Sequence, residues 1–174
     1  MTRCGYLIIA GATLVSATVA NAFDFQFDRA SSSAGHFSVT LPKPFGELPQ
    51  NFAINQTAAI RPTKTFAIGG KPAPGLIFIA VKLVYESANN AQSIVQGLKR
   101  ADPPGFTRVY IKEVKTAGLS GFEVKTNSRL STGYERVFLA DDTVFLLSVE
   151  APAAQDAELK EPARKFLDSL TVAK

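Results

Sequence analysis

The chain has 174 residues, of which 46% are hydrophobic, and carries a formal net charge of +4. This length is typical of one domain, and the basic residues are spread singly rather than in the dense patch that marks a nucleic-acid-binding surface. With one cysteine, Cys4, and one histidine, His36, the sequence favours neither a disulfide framework nor a zinc or copper site.

Residues 1–22 have the three parts of a secretory signal peptide. Arg3 gives a short positive start, and residues 6–19 form an apolar run interrupted only by Gly, Ser and Thr. Ala20 and Ala22 then form a small-x-small cleavage site. We therefore expect an exported protein, periplasmic or secreted.

Cleavage after this site would start the mature protein at Phe23 and leave 152 residues. The apolar run is shorter than the roughly 20 residues that a membrane-spanning helix needs, so no transmembrane segment is expected after cleavage. Cys4 precedes the apolar run, whereas the lipidated cysteine of a lipoprotein follows it. A lipid anchor is therefore not expected, and the mature chain would have no thiol.

The mature chain is predicted to begin with a flexible segment, residues 23–35, followed by a single domain, residues 36–174. The segment alternates Phe23, Phe25 and Phe27 with polar residues and then becomes rich in serine. Its phenylalanines either dock on the domain as an edge strand or remain available to a partner or a membrane surface. Docking is the preferred interpretation.

Strands are predicted where apolar and β-branched residues alternate or run together between turn signals. In the first half of the mature chain these are residues 37–41, 61–68 and 76–85. The last of these is apolar on both faces for six residues, as expected of a central strand. The Pro- and Gly-rich connections 43–57 and 69–75 are predicted loops.

A helix is predicted after the third strand, because Asn89 and Gln92 have the spacing of a capping box. Four more strands follow at residues 107–115, 121–126, 133–140 and 143–150. Asp141 and Asp142 separate the last two, which indicates a hairpin. A closing helix is expected to begin close to Pro162, since proline is tolerated in the first turn. These elements predict an α+β fold, a mainly antiparallel sheet flanked by amphipathic helices.

Few residues suggest catalysis. His36 begins a strand beside the serine-rich segment and is interpreted as an exposed loop residue. Residues 118–121 lack the G-x-S-x-G spacing of a nucleophile elbow, and residues 69–71 lack the spacing of a phosphate-binding loop. Asp141 and Asp142 are interpreted as a turn rather than a cation site. We therefore predict no catalytic, cofactor or metal site, and no enzyme activity.

The charged residues of the predicted strands have a structural interpretation. Glu123 and Glu135 fall on neighbouring strands near Lys125 and Arg136. Opposite charges on adjacent strands commonly form cross-strand pairs. We therefore expect ion pairs among these four side chains.

The order of elements in the second half resembles a known family. The stretches concerned are LSGFEV at residues 119–124, YERVFL at 134–139, TVFLLSVEAP at 143–152 and FLDSL at 166–170, after a first strand that ends at Pro42. This pattern resembles the PsbP-like superfamily, which includes the extrinsic PsbP protein of photosystem II and small bacterial envelope proteins such as DcrB. The resemblance spans residues 36–172 and implies a sheet sandwiched by helices, with a binding or assembly role and no catalysis.

The leader and the resemblance together predict an exported, non-catalytic binding or accessory module. Its expected partner is another envelope or periplasmic protein, contacted through loops 43–57 and 69–75. One alternative is a small envelope hydrolase, which would need His36 in a concave pocket beside an oriented carboxylate. Another is a carrier of small apolar ligands, which would need an internal cavity between the sheet and a helix.

Overall fold

Strands make up most of the secondary structure. The computed structural model describes residues 25–49, 60–100, 102 and 105–173. Its strands are β1 Phe27–Ser32, β2 Phe37–Pro42, β3 Phe45–Leu48, β4 Lys64–Ala73, β5 Leu76–Val84, β6 Thr107–Thr116, β7 Leu119–Asn127, β8 Ser131–Ala140, β9 Thr143–Pro152 and β10 Thr171–Val172. Its helices are α1 Ala88–Arg100 and α2 Asp156–Leu167. The predicted α+β fold is confirmed.

Two antiparallel sheets organise these strands. Seven strands form the larger sheet in the order β3-β4-β5-β9-β8-β7-β6, and the smaller sheet has the order β1-β2-β10. Strands β6 to β9 are joined by short turns, so each pairs with the next one along the chain. Helix α1 instead carries the chain from β5, inside the larger sheet, to β6 at its edge.

Each face of the larger sheet has its own apolar core. On one face Ala91 and Val95 of α1 pack in a cluster with Val137 and Val144 of the sheet. On the other face α2 and the smaller sheet together cover Phe78, Phe138 and Phe145, among other residues. The rings of Phe78 and Phe166 meet edge to face, with centroids 5.5 Å apart. The molecule is thus layered, with the larger sheet in the middle.

The segment that precedes the domain is a strand and not a flexible tether over much of its length. Phe27–Ser32 forms β1, which pairs antiparallel with β2. The Phe27 ring lies 6.3 Å from that of Phe78, in an edge-to-face contact. Partial burial of this ring and the pairing of β1 with β2 together explain the docked conformation. Phe23 lies outside the described residues.

Two predicted loops contain strand. Phe45–Leu48 forms β3, which pairs with β4 and so satisfies backbone groups that a loop would leave to water. Strand β4 runs through the predicted loop 69–75 as far as Ala73, with a register shift between Gly70 and Ala73 at the position of Pro72. Residues 50–57 of the first loop lie outside the described residues.

Both helices begin earlier than predicted. Helix α1 starts at Ala88, and the hydroxyl of Ser87 accepts a hydrogen bond from the Asn90 amide, so Ser87 rather than Asn89 supplies the cap. Helix α2 starts at Asp156 and contains Pro162 in its interior. Leu159 is fully buried in the turn before the proline, and its burial offsets the lost backbone hydrogen bond.

The four predicted strands of the second half are confirmed, as is the turn at Asp141, whose φ of 51° lies in the left-handed region. The predicted signal peptide and its cleavage site, Ala20 and Ala22, lie outside the described residues. No helix within residues 25–49, 60–100, 102 and 105–173 is long and apolar enough to cross a membrane.

Candidate functional site

Six polar side chains form two rows across β6, β7 and β8. In one row Lys112, Glu123 and Arg136 lie directly opposite one another on the three strands. Two residues along, the second row consists of Tyr110, Lys125 and Tyr134. Because side chains alternate between the faces of a sheet, both rows point to the same face. That face is the one which α2 covers in part.

The first row holds a buried ion pair. Arg136 Nε lies 2.6 Å from Glu123 Oε2, and the two side chains are only 9% and 5% exposed. Glu123 Oε1 also accepts a hydrogen bond from the Tyr110 hydroxyl at 2.7 Å and lies 2.7 Å from Lys112 Nζ. Several donors therefore converge on one carboxylate, which compensates for its removal from water.

Helix α2 joins the network at its two ends. Arg136 Nη1 donates to Asp168 Oδ1 at 2.5 Å, just past the last residue of the helix. At the first residue, Asp156 Oδ2 lies 2.6 Å from Lys125 Nζ, and its other oxygen accepts a hydrogen bond from the Thr132 hydroxyl at 2.9 Å. The helix is thereby fixed over the two rows through charged contacts.

An open cleft with a volume of about 550 Å³ lies between the two rows and α2. We call it the charged cleft. The sheet supplies its floor, and α2 adds Lys160 and Arg164 to its lining. Five cationic side chains face it: Lys112, Lys125, Arg136, Lys160 and Arg164. Three carboxylates face it: Glu123, Asp156 and Asp168.

The network fixes the ionisation of the cleft. Burial alone would raise the pKa of Glu123, but hydrogen bonds from Lys112, Tyr110 and Arg136 outweigh it and hold the pKa below its usual value. Burial would also raise the pKa of Asp156, but hydrogen bonds from Lys125 and Thr132 outweigh this effect and lower the pKa. Burial and the hydrogen bond to Glu123 raise the pKa of Tyr110. At neutral pH these groups remain two carboxylates and a phenol, which suits binding better than proton transfer.

The expected cross-strand ion pairs form only in part. Glu123 pairs with Arg136 as predicted, whereas Lys125 pairs with Asp156 of α2. Glu135 lies opposite Val124 and Ser148, on the face of the sheet turned towards α1, and no ion pair is found for it in the described part of the chain. Sequence alternation already separates residue 135 from residue 136, because neighbours along a strand face opposite ways.

Glu135 lines a second, smaller hollow of about 170 Å³, together with Phe106, Thr126 and Ser148. Burial raises the pKa of Glu135 to about 7. The opposite faces of β8 thus hold one carboxyl that titrates near neutrality and one guanidinium that is tied to two carboxylates.

His36 does not have the surroundings that a hydrolase requires. It is exposed, at a turn with a φ of 53°, and lines a shallow hollow of about 240 Å³ that also includes Arg29 and Ser31. No carboxylate belongs to the described lining of this hollow. The oriented acid on which the hydrolase alternative depended is therefore missing there.

Asp141 and Asp142 lie in the β8–β9 turn as predicted. A search of the described residues finds no group of three or more Asp, Glu, His or Cys side chains that could hold a metal ion. The charged cleft is open and polar, unlike the internal apolar cavity that a carrier of apolar ligands would use.

Sequence reasoning missed most of the charged cleft. It singled out Glu123, Lys125 and Arg136, but not Tyr110, Lys112 or the contributions of α2. Polar residues at alternate positions of β6, β7 and β8 were the available signal, because a strand with one polar face presents that face to solvent or to a polar site. The position of α2 over that face depends on the fold as a whole.

No family model matches the sequence, and no curated protein matches it either. Solved structures do. Cyanobacterial PsbP from Synechocystis aligns over 99% of both chains with a TM-score of 0.56 and 7% identity. LpqN of Mycobacterium tuberculosis, described as involved in cell envelope biogenesis, aligns over 87% of this chain and 93% of its own, with a TM-score of 0.50 and 17% identity.

A third similar structure is a protein of Bacteroides thetaiotaomicron, with a TM-score of 0.53 and 16% identity. The match covers 86% of this chain but 49% of the Bacteroides protein, so the chain spans about half the length of that relative. At these identities the comparisons establish the fold, and fold alone does not transfer function. The expected resemblance is confirmed at that level: the chain has the PsbP-like fold.

Proposed function

We propose that the protein is an exported accessory module of the cell envelope, without catalytic activity of its own, and that the charged cleft is its binding site. The observation that carries the proposal is the cleft itself. It combines buried charges with an open volume of about 550 Å³, within the range of small-molecule sites.

The energetics of the network support a role in binding. Burying Arg136 and Glu123 removes two charges from water, and apolar residues of similar size would often stabilise the fold as well or better. An ion pair that apolar residues could replace as a unit without loss of stability is retained for another reason, and we propose that this reason is ligand binding. The lowered carboxylate pKa values also keep the cleft charged at neutral pH.

The signal-peptide pattern of residues 1–22 supports a location outside the cytoplasm. LpqN, a protein of similar fold, is also involved in cell envelope biogenesis. We propose the periplasm as the location and an envelope component as the partner. The segments 43–57 and 69–75, predicted as loops, remain proposed as further contact surfaces. Their described parts belong to or adjoin β3 and β4, at the opposite side of the larger sheet from β6, β7 and β8.

To test the proposal, the full chain is expressed with a C-terminal tag in a bacterial host. The cells are then fractionated, and the mass of the tagged protein is measured. We expect periplasmic protein that begins at Phe23. The same preparation is then used to retain envelope components on a column, with the wild type compared with the double variant Lys160→Ala/Arg164→Ala.

Lys165→Ala is the control, because it removes a positive charge from α2 outside the lining of the cleft. Lys165 Nζ lies 4.4 Å from the centroid of the Phe27 ring. We expect one specific component to be retained by the wild type and the control and lost with the double variant. Cytoplasmic protein with an intact leader, or equal retention by all three proteins, would contradict the proposal.

A further inference from the structure

The cationic side chains that line the cleft outnumber its carboxylates. Each of its three carboxylates already has a cationic partner: Glu123 has Arg136 and Lys112, Asp156 has Lys125, and Asp168 has Arg136 and Arg164. Five cations face three anions, so the lining has an excess of positive charge. A ligand that brings negative charge would complete the network.

Two of the cationic side chains have weak ion pairs or none within the described part of the chain. Lys160 has no ion-pair partner in the described part of the chain, and Arg164 Nε reaches Asp168 only at 3.5 Å with 72% of its side chain exposed. The two residues are four apart on α2 and therefore lie on one face of the helix, one turn from each other. Both are free to turn towards a ligand without breaking a buried contact.

A third cation lies on the floor of the cleft. Lys112 is 55% exposed and shares the Glu123 carboxylate with Arg136, so Glu123 keeps a cationic partner if Lys112 moves to a ligand. Lysine ammonium and arginine guanidinium groups together suit a phosphate group, which offers three acceptor oxygens and up to two charges. A simple carboxylate offers two oxygens and one charge.

We propose that the charged cleft binds a small ligand through a phosphate monoester group, held by Lys160 and Arg164 of α2 and by Lys112 of β6. The cleft is larger than inorganic phosphate, so the rest of the ligand occupies the remaining space beside Tyr110 and Tyr134. This inference rests on the proposal that the cleft is the binding site of the protein. The phosphate monoester belongs either to a soluble metabolite or to a lipid headgroup.

Calorimetric titration at constant ionic strength tests the inference with three probes: inorganic phosphate, glycerol 3-phosphate and acetate. We expect saturable binding of both phosphates and none of acetate at equal concentration. The double variant Lys160→Ala/Arg164→Ala should weaken phosphate binding about tenfold or more, as the loss of charged hydrogen bonds implies. Lys165→Ala should leave it within about twofold of the wild type.

Vesicles distinguish the two sources of the phosphate. Sedimentation with vesicles that contain phosphatidic acid, but not with vesicles of phosphatidylcholine alone, assigns the ligand to a lipid headgroup. Binding of glycerol 3-phosphate without sedimentation assigns it to a soluble metabolite. Both results require the loss of binding in the double variant and its retention in Lys165→Ala.

Three results would overturn the inference: no saturable phosphate binding, equal binding of acetate, or equal weakening by Lys165→Ala. If envelope components are still retained through the cleft in the column experiment, any of these results removes the phosphate assignment and leaves the proposed function intact. If the column retains nothing while phosphate binds normally, the proposed envelope role fails alone.

Discussion

Two consecutive residues of β8 show how a single strand can hold opposite kinds of ionisable site. Arg136 faces α2, where Glu123 and Asp168 hold it in place. Glu135 faces the other way, into a hollow where burial raises its pKa to about 7. The difference comes from the contacts on each face and not from the position in the chain, since the two residues are adjacent.

Glu135 gives the fold a predictable pH dependence. Its pKa is raised above the usual value of about 4.5, so between these two values the folded state binds more protons than the unfolded state. The contribution of Glu135 is most favourable below pH 4.5 and is lost as the pH rises through 7. Glu135→Gln should therefore stabilise the protein at pH 8, by on the order of 2 kcal/mol, and have little effect at pH 4.

Urea denaturation of both proteins at pH 4, 6 and 8 measures this difference. Glu150→Gln is the matched control, because Glu150 lines the same hollow but is exposed. As a surface substitution it should change the free energy of unfolding by less than about 0.5 kcal/mol. A wild-type stability that does not fall, relative to Glu135→Gln, between pH 5 and 8 would contradict this account.

Among the secondary-structure elements, Arg136 connects four. It lies on β8, pairs with Glu123 of β7, and donates to Thr116 of β6 and to Asp168 at the end of α2. The helix also rests on the sheet through its apolar side, where Leu159, Ala163 and Phe166 are buried. The polar network therefore ties both ends of α2 to the sheet, while burial of its apolar side chains supplies most of the free energy that holds the helix there.

Removing Arg136 should leave Glu123 buried with fewer donors. We expect Arg136→Met to lower the free energy of unfolding at pH 7 by about 3 kcal/mol, as for other broken buried pairs. Adding Glu123→Gln should recover much of the loss, because the uncompensated charge is removed. Arg129→Met, at an exposed position, should change stability by less than about 0.5 kcal/mol.

Urea denaturation measures the free energy of unfolding of these variants, from the midpoint of each transition at an unchanged m-value. If Arg136→Met and Arg129→Met were equally stable, the buried pair would have no structural role. If the double variant Arg136→Met/Glu123→Gln were less stable than Arg136→Met, the loss in Arg136→Met would not come from the uncompensated charge of Glu123.

The elements that sequence predicted well are those whose pattern is local. Strands β6 to β9 follow from alternation and turn residues, and their order implies the antiparallel sheet. Strand β3 was missed because four residues become a strand only by pairing with β4. The start of α2 was misplaced because burial of Leu159 overrides the local preference of Pro162.

For the molecule as a whole, the charged cleft marks the limit of sequence reasoning. The two polar rows could have been found from the period of two along β6, β7 and β8. Lys160 and Arg164 could not, because their place opposite those rows depends on where α2 packs. The cleft is therefore a property of the layered fold, although half of its residues can be recognised in the sequence.

The central claim is that this cleft meets its partner outside the cytoplasm, and photo-crosslinking in living cells tests it most directly. A benzoyl-phenylalanine replaces Ala157, in the lining of the cleft, or Gln92, exposed on α1. After irradiation, mass spectrometry of the periplasmic protein should detect a defined adduct from position 157 and none from position 92. Adducts from position 92 alone, or none from periplasmic protein at position 157, would contradict the account.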